Sequence, residues 1–402
     1  MIDHDDIERS ATLFDAAPDA FERFHRRRRR KQRNRQIEAS LVALVLVSVA
    51  AVGTIRAFRS GGSSMPATPS ERWIQIRLRD PATFDRVELR AVAAGASGYV
   101  AVGDTSGAAA HGENSVPVWF STDGSTWSRV PSSTAPGSVS LWDITPGGPG
   151  YVAVGVGPNG GPAAWFSSNG TNWTQATVDP APRGSVDAMF HVIGTSFGFI
   201  ATGRTHGTDA FVWTSIDGKT WTAVPDESVF GGAGQQEIRG ISAGGPGYVA
   251  VGYERARDGA RTAAPVVWTS QNGVAWTRVT PKGAGFHAHR WSAMAVVFPG
   301  GPGMVAIGDA GPRLSEDSPP LWTSVDGVHW KRAKVRVVPQ MTTVIETSSG
   351  LVGVGYDGVF TSNDGERWIP EPGAPGEGNG VAGGPQGLVV VGSGIWFERS
   401  AR

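Results

Sequence analysis

A seven-residue phrase of the form Ser-x-Asp/Asn-Gly-x-x-Trp occurs six times in this chain of 402 residues. It recurs at a period of roughly 40–50 residues, which is typical of propellers and solenoids. Each copy separates two short aromatic or β-branched runs, and Asp-Gly or Asn-Gly in that setting is a strong hairpin signal. The repeat therefore predicts an all-β fold in which every copy turns the chain between two strands. The copies are Ser121–Trp127, Ser167–Trp173, Ser215–Trp221, Ser270–Trp276, Ser324–Trp330 and Ser362–Trp368.

This pattern resembles the Asp-box, or BNR, repeat of sialidase-type β-propellers, and the resemblance covers residues 71–402. It implies a propeller fold. Gly provides a positive φ in such a turn, and the Asp or Asn side chain accepts hydrogen bonds from the turn itself. Asn169 and Asn272 replace Asp in two copies. A turn acceptor tolerates that exchange, whereas a metal ligand or an acid–base group needs the charge, so we predict a structural role for the copies.

A second strand signal precedes each copy and occurs once more near the C-terminus. A weaker apolar run lies ahead of each of these signals, so one repeat unit contains four short strands, the composition of a propeller blade. The second-strand signals are Gly98–Gly103, Gly150–Gly155, Gly198–Gly203, Gly247–Gly252, Gly303–Gly308, Gly350–Gly355 and Gly387–Gly392.

The last unit is incomplete, because its third strand around Trp396 is followed by neither a turn phrase nor a fourth strand. At the other end, Trp73 begins a strand signal that has no unit in front of it. We predict that the strand at Trp73 pairs beside Trp396 and closes the ring, since closure removes free strand edges. The predicted fold class is an all-β, seven-bladed propeller closed by its N-terminal strand and preceded by a single transmembrane helix.

The N-terminal residues have a different composition. Six basic residues from Arg26 to Lys31 precede an apolar run from Ala39 to Ile55, which is long enough to cross a bilayer. The basic block places the N-terminus inside and the propeller outside the cell membrane; a cleaved signal peptide is the alternative. A weak resemblance to juxtamembrane tails of actinobacterial membrane proteins indicates a bacterial origin. The predicted segments are a cytoplasmic basic tail (1–35), a transmembrane helix in the lipid bilayer (36–57), a linker (58–70) and the propeller (71–402).

Composition excludes several classes of function. The 36 basic and 36 acidic residues balance, so no strong overall field favours nucleic acid, and we predict no nucleic-acid partner. The absence of cysteine excludes disulfides, thiol catalysis and thiolate metal sites. His287 and His289 are two residues apart, but no third ligand lies at a diagnostic spacing. We therefore predict no metal and no cofactor.

The candidate ligand site is the mouth, the end of the ring where the first strand of each unit begins and the second strand ends. When the units are aligned on the second strand, two positions of each unit fall at the mouth. One lies nine residues before the first large residue of the second strand, and the other directly follows that strand. Arginine with stacked aromatic rings suits carboxylates and sugars, so we predict a glycan or protein ligand there. The candidates are Arg90, Trp142, Arg239, Trp291, Asp104, Arg204, Tyr253, Asp309 and Tyr356.

The leading functional hypothesis is a membrane-anchored, extracytoplasmic binding module without catalysis. The sialidase resemblance implies an arginine clamp, a Tyr nucleophile paired with Glu, and an acid–base Asp. It also implies a Phe/Tyr-Arg-Ile-Pro segment, but residues 73–78 read Trp-Ile-Gln-Ile-Arg-Leu. A glycoside hydrolase is the alternative, and a role in signalling through the cytoplasmic tail is a third hypothesis. The carboxylates available to a hydrolase are Asp104, Asp209, Asp258 and Asp309.

Overall fold

The structure of the protein is a computed structural model. The chain divides into two units, Met1–Ser70 and Glu71–Arg402, and all of the described residues belong to the second unit. The described residues are 72–76, 78, 88–104, 116–137, 140–148, 150–158, 160–179, 188–205, 209–224, 227–232, 234–256, 263–279, 294–301, 303–308, 318–335 and 338–399.

These residues form 29 strands and one short helix (Glu227–Phe230). The first ten strands are β1 (Trp73–Ile76), β2 (Glu88–Gly95), β3 (Gly98–Asp104), β4 (Val118–Ser121), β5 (Ser128–Arg129), β6 (Ser140–Gly147), β7 (Gly150–Val156), β8 (Pro162–Ser167), β9 (Thr174–Gln175) and β10 (Thr177–Val178). The next ten are β11 (Ala188–Thr195), β12 (Gly198–Thr205), β13 (Asp209–Ser215), β14 (Thr220–Val224), β15 (Gln235–Gly244), β16 (Gly247–Arg255), β17 (Ala263–Ser270), β18 (Trp276–Val279), β19 (Met294–Gly300) and β20 (Gly303–Gly308). The last nine are β21 (Leu321–Ser324), β22 (Trp330–Arg332), β23 (Met341–Thr347), β24 (Gly350–Gly355), β25 (Gly358–Ser362), β26 (Ile369–Pro370), β27 (Gly380–Gly384), β28 (Gly387–Val391) and β29 (Ile395–Arg399).

The strands form antiparallel meanders in chain order, which is the sheet arrangement of an all-β, propeller-like fold. Separate four-stranded sheets are β15–β18, β19–β22 and β23–β26. Strands β11–β14 form a sheet to which β10 adds a parallel edge. Strands β2–β5 and β6–β9 belong to one eight-stranded sheet, in which the two meanders are joined by the single pair Asp104–Ser140.

The remaining sheet confirms the predicted closing strand. Its order is β1-β29-β28-β27, so the first strand of the unit completes the last sheet. Strand β1 runs antiparallel to β29, with Trp73 opposite Glu398 and Gln75 opposite Trp396. The side chain of Arg72 also forms ion pairs with Glu371 and with the buried Glu398. The two ends of the described chain are therefore held together by backbone pairing and by charge.

The first strands of successive meanders contact one another around a closed circuit. Strand β2 contacts β6, β6 contacts β11, and the series continues through β15, β19, β23 and β27 back to β2. Each meander thus presents its first strand to a common axis, and its later strands lie progressively farther out.

Aromatic side chains from the second and third strands fill the space between sheets. Trp119, Trp165 and Trp213 are fully buried third-strand residues, and Tyr99 and Tyr151 are fully buried second-strand residues. The Tyr151 hydroxyl donates to the Gly98 carbonyl oxygen of the preceding meander at 2.8 Å. These tryptophans and tyrosines are therefore packing residues, as their positions in the repeat predict.

The six turn phrases, called box turns below, share one hydrogen-bond pattern. In the first, the Asp123 carboxylate accepts from the backbone N–H groups of Ser125 and Thr126 at 2.8 and 2.7 Å. The Trp127 indole donates to the Gly124 carbonyl oxygen at 2.8 Å. Burial acts to raise the pKa of Asp123, but the hydrogen bonds from Thr126 and Ser125 outweigh it and lower the pKa to about 2.

The two asparagine copies keep this pattern. Asn169 accepts from two turn N–H groups at 3.0 and 2.9 Å, and Asn272 does so at 3.0 and 2.8 Å. An amide oxygen therefore replaces the carboxylate oxygen as the turn acceptor, which confirms the predicted structural role.

The box-turn glycines also pack against the neighbouring meander. Gly218 has φ +73°, and a Cβ added there would lie 2.6 Å from Cγ2 of Val152 in the preceding sheet.

We expect Gly218→Ala to lower the free energy of unfolding by about 2–4 kcal/mol, since positive φ and overpacking both penalise alanine. Gly373 has φ +75° but no atom within 4 Å of its added Cβ. Gly373→Ala is therefore the matched control, with an expected loss of about 1 kcal/mol from φ alone. Urea unfolding measures both, and equal losses would show that the contact with Val152 has no energetic role.

Among the described residues, no helix is both long and apolar enough to span a membrane. The predicted span, residues 36–57, lies outside the described residues, as do the predicted tail and linker.

Candidate functional site

A β-bulge near the start of the first strand positions the candidate residues at the mouth. In β2 the pairing with β3 shifts between Leu89 and Ala91, so Arg90 is the extra residue. The same shift leaves one residue unpaired in each of the next five first strands. Bulges commonly re-aim a side chain next to a functional site. The bulge residues are Arg90, Trp142, Phe190, Arg239, Ala295 and Thr342.

The first three bulge residues interact across neighbouring meanders. The Arg90 guanidinium donates to the Asp104 carboxylate at 2.8 Å and lies over the Trp142 ring, with Cζ 4.1 Å from the centroid. Trp142 contacts Phe190 edge-on, with the ring centroids 5.5 Å apart. Arg204 in turn lies over the Phe190 ring at 5.6 Å. Cations and aromatic rings therefore alternate along this side of the mouth.

Glu237 extends this chain of contacts into the next meander. Its carboxylate accepts from Arg204 at 3.3 Å and from Arg239 at 3.0 Å. The Tyr253 hydroxyl donates to the same carboxylate at 2.9 Å, and Arg255 lies over the Tyr253 ring at 5.2 Å. Burial is the main cause that raises the pKa of Tyr253 to about 12, with the Glu237 charge adding to it. The Tyr253 hydroxyl is therefore protonated at neutral pH.

We call these eight residues the arc. They come from four successive meanders and form one connected set of ion pairs, ring contacts and hydrogen bonds. Its members are Arg90, Asp104, Trp142, Phe190, Arg204, Glu237, Arg239 and Tyr253.

A cavity of ≈ 590 Å³ lies on the axis and is lined by residues of the first strands. Arg90, Trp142 and Arg239 contribute to its lining from one side, and the exposed Tyr356 contributes from another. Much of the remaining wall is apolar, including Ile144, Val192, Ile241, Val297, Ile345 and Val381. A cavity of this size, lined by apolar side chains together with convergent polar groups, is large enough to hold a small ligand.

Asp143 and His191 lie on the cavity wall, and each directly follows a bulge residue. Asp143 accepts from the backbone N–H groups of Ile144 at 2.8 Å and Val192 at 2.9 Å, so its carboxyl joins β6 to β11. Burial raises the pKa of Asp143 to about 7 despite these two bonds. Burial and the Arg239 charge lower the pKa of His191 to about 4, so the imidazole is neutral at neutral pH.

The described residues include no group of three His, Asp or Glu side chains placed to hold a metal ion. His287 and His289 lie outside them.

The structure brings together six of the nine predicted site residues in the arc, namely Arg90, Asp104, Trp142, Arg204, Arg239 and Tyr253. Tyr356 lies apart from the arc on the cavity wall, and it is 61% exposed. Asp309 and Trp291 lie outside the described residues.

In one unit the bulge does not fall at the predicted residue. Trp291 is not the residue equivalent to Arg90 in its unit, because the bulge of β19 falls at Ala295. Ala295 also lies nine residues before Met304, the first large residue of β20. The long segment before β19 displaced Trp291 from the position that the repeat requires.

Sequence reasoning missed Glu237, Asp143 and His191. Asp143 and His191 interrupt the apolar runs Leu-Trp-Asp-Ile and Met-Phe-His-Val, and a polar residue in such a run is a detectable signal. Glu237 pairs with Tyr253 across β15 and β16, a position that becomes evident only when the register is known.

No family model and no curated protein matches the sequence. One similar solved structure is Sqt1 from Saccharomyces cerevisiae, with 8% sequence identity and a TM-score of 0.46. The match covers 77% of this chain and 80% of Sqt1. At this identity and TM-score the similarity supports no assignment of function.

Proposed function

We propose that the protein is a membrane-anchored, extracytoplasmic seven-bladed propeller that binds a ligand or protein partner at its mouth without catalysing a reaction. The count of seven treats the eight-stranded sheet as two blades, since a single residue pair joins its halves. The closed circuit of seven first strands supports the same count. The shared hydrogen-bond pattern of the box turns supports membership of the Asp-box family.

The observation that carries the binding role is the arc beside the axial cavity. Its arginines are held in place by carboxylates and rings, so they are preorganised for a ligand. The buried Nε–H groups of Arg90 and Arg204 and the indole N–H of Trp142 have no hydrogen-bond acceptor among the described residues. Buried donors of this kind are usually satisfied by water or a ligand. A ligand rich in acceptor oxygens, such as a glycan or an acidic protein segment, meets that requirement.

The membrane location depends on sequence alone. Residues 36–57 contain the apolar run, and the basic block before it directs the tail to the cytoplasm. This topology places the propeller on the outer side of the cell membrane.

A glycoside hydrolase is the second candidate, and one observation favours it. Tyr253 and Glu237 form a hydrogen-bonded pair beside Arg204 and Arg239, which are the residue types that the sialidase resemblance implies. Against it, the Tyr253 hydroxyl is buried with a raised pKa, which disfavours the phenolate form of a nucleophile. Asp104 is engaged by Arg90, and Asp258 and Asp309 lie outside the described residues.

The test uses the full chain, purified in detergent and applied to an array of acidic and neutral glycans and to extracellular protein fractions. We expect saturable binding that Trp142→Ala weakens at least about tenfold, because an interfacial tryptophan commonly dominates affinity. Thr122→Ala, on an exposed box turn, is the control and should leave affinity unchanged. Turnover of a fluorogenic sialoside that is abolished by Tyr253→Phe would instead establish the hydrolase. Binding that Trp142→Ala leaves intact would contradict the assignment of the mouth.

A further inference from the structure

The box face is the end of the sheets opposite the mouth. It carries the six box turns and the hairpin turns that join each first strand to its second strand. These hairpin turns contain no charged residue within the described part of the chain. Five of these hairpin turns lie entirely within the described residues, namely Ala96-Ser97, Ser196-Phe197, Gly245-Pro246, Ser348-Ser349 and Pro385-Gln386.

Exposed apolar side chains concentrate at this same end. Six large hydrophobic residues are exposed among the described residues, and only Tyr356 lies at the mouth. Ile216, Val274 and Val325 occupy the box turns of three successive sheets, and Ile216 and Val325 are 73% and 62% exposed. Ile74 and Ile369 lie on strands within two residues of the box end. Five of the six lie at the box end, and such a concentration of exposed apolar side chains on one face indicates a contact surface.

The chain enters the propeller at this face. Strand β1 begins at Trp73, which lies opposite Glu398 near the end of β29, and β29 runs from the mouth toward the box end. Residues 1–71 are therefore joined to the box face, and they include the apolar run from Ala39 to Ile55. A covalent connection raises the effective concentration of a nearby surface, so contacts that are individually weak become populated.

We propose that the box face rests on the outer surface of the lipid bilayer, with Ile216, Val274 and Val325 reaching the headgroup region and the mouth turned away from the membrane. This inference rests on the proposed membrane anchoring. Box-turn aspartates such as Asp123 and Asp326 have lowered pKa values and remain charged, so the contact suits zwitterionic rather than anionic lipid.

Single cysteines provide the test, because the natural chain contains none. Ile216→Cys and Val325→Cys are labelled with an environment-sensitive fluorophore in the full chain, reconstituted into phosphatidylcholine vesicles with the propeller outside. Ser393→Cys, exposed in the turn between β28 and β29 at the mouth, is the matched control. Labels are quenched with aqueous iodide and, separately, with brominated lipid. We expect iodide to quench positions 216 and 325 at least about threefold less than position 393, and brominated lipid to quench only the first two.

The outcomes separate this inference from the proposed function. Labels at 216 and 325 that are as open to iodide as the label at 393 would overturn the orientation and leave the anchor standing. Protection from iodide without quenching by brominated lipid would indicate a protein contact, such as a second copy, and would also overturn it. Failure of the full chain to float with the vesicles would overturn the anchor and this inference together.

Discussion

Replacing Trp73 by alanine is expected to lower the free energy of unfolding by about 3–5 kcal/mol, the usual cost of removing a buried tryptophan. Trp73 is only 7% exposed, and its ring joins an apolar cluster that includes Val352 and Val359 of the neighbouring sheet and Val390 of its own. The substitution therefore opens a cavity at the point where the two ends of the ring meet. Urea unfolding followed by tryptophan fluorescence measures the loss.

Ile74→Ala is the matched control for this prediction. Ile74 is the next residue of β1 and pairs with Phe397, but its side chain is 43% exposed. We expect a loss below about 1 kcal/mol, because little apolar area is removed from the protein interior. Comparable losses for Trp73→Ala and Ile74→Ala would mean that the packing of Trp73 does not stabilise the closure.

Replacing Glu237 by alanine is expected to destabilise the protein by about 3 kcal/mol, since removing one partner of a buried ion pair leaves the other charge unpaired. Glu237 is buried and accepts from Arg204, Arg239 and Tyr253 at once. Arg239 is partly exposed, so water can solvate its guanidinium after the substitution. The expected loss of stability is therefore at the lower end of the 3–5 kcal/mol that is usual (about 3) when one partner of a buried ion pair is removed. Denaturant unfolding and the affinity for the glycan or protein found in the array measure the two consequences, and both should fall.

Two further variants test whether the loss of stability comes from the Glu237 charge. Glu237→Gln keeps an acceptor for Tyr253 but removes the charge, so we expect an intermediate loss of stability. Glu346→Ala removes an exposed carboxylate on β23 and should change stability by less than about 0.5 kcal/mol. A Glu237→Ala protein as stable as the Glu346→Ala protein would show that the arc is not held together by this carboxylate.

The sequence was informative about positions that repeat. The spacing of the box turns and of the second-strand signals places Trp142 and Arg239 at equivalent positions, and the structure has both at bulges. The same reasoning gave the wrong equivalent in the one unit with a long preceding segment, where Ala295 rather than Trp291 is at the bulge. Equivalent positions can be read from a repeat only where the length of the repeat unit stays constant.

The box turns and the closing strand were determined by the sequence itself. A turn such as the one at Asp123 is stabilised by hydrogen bonds within seven residues, so its residue types are sufficient to define it. Only the tertiary structure decided which charges and rings meet at the mouth. Arg90 reaches Trp142, and Arg204 reaches Glu237, because bulges re-aim side chains on separate strands and the ring sets those strands side by side. Such contacts join residues 33 or more positions apart, and no local pattern specifies them.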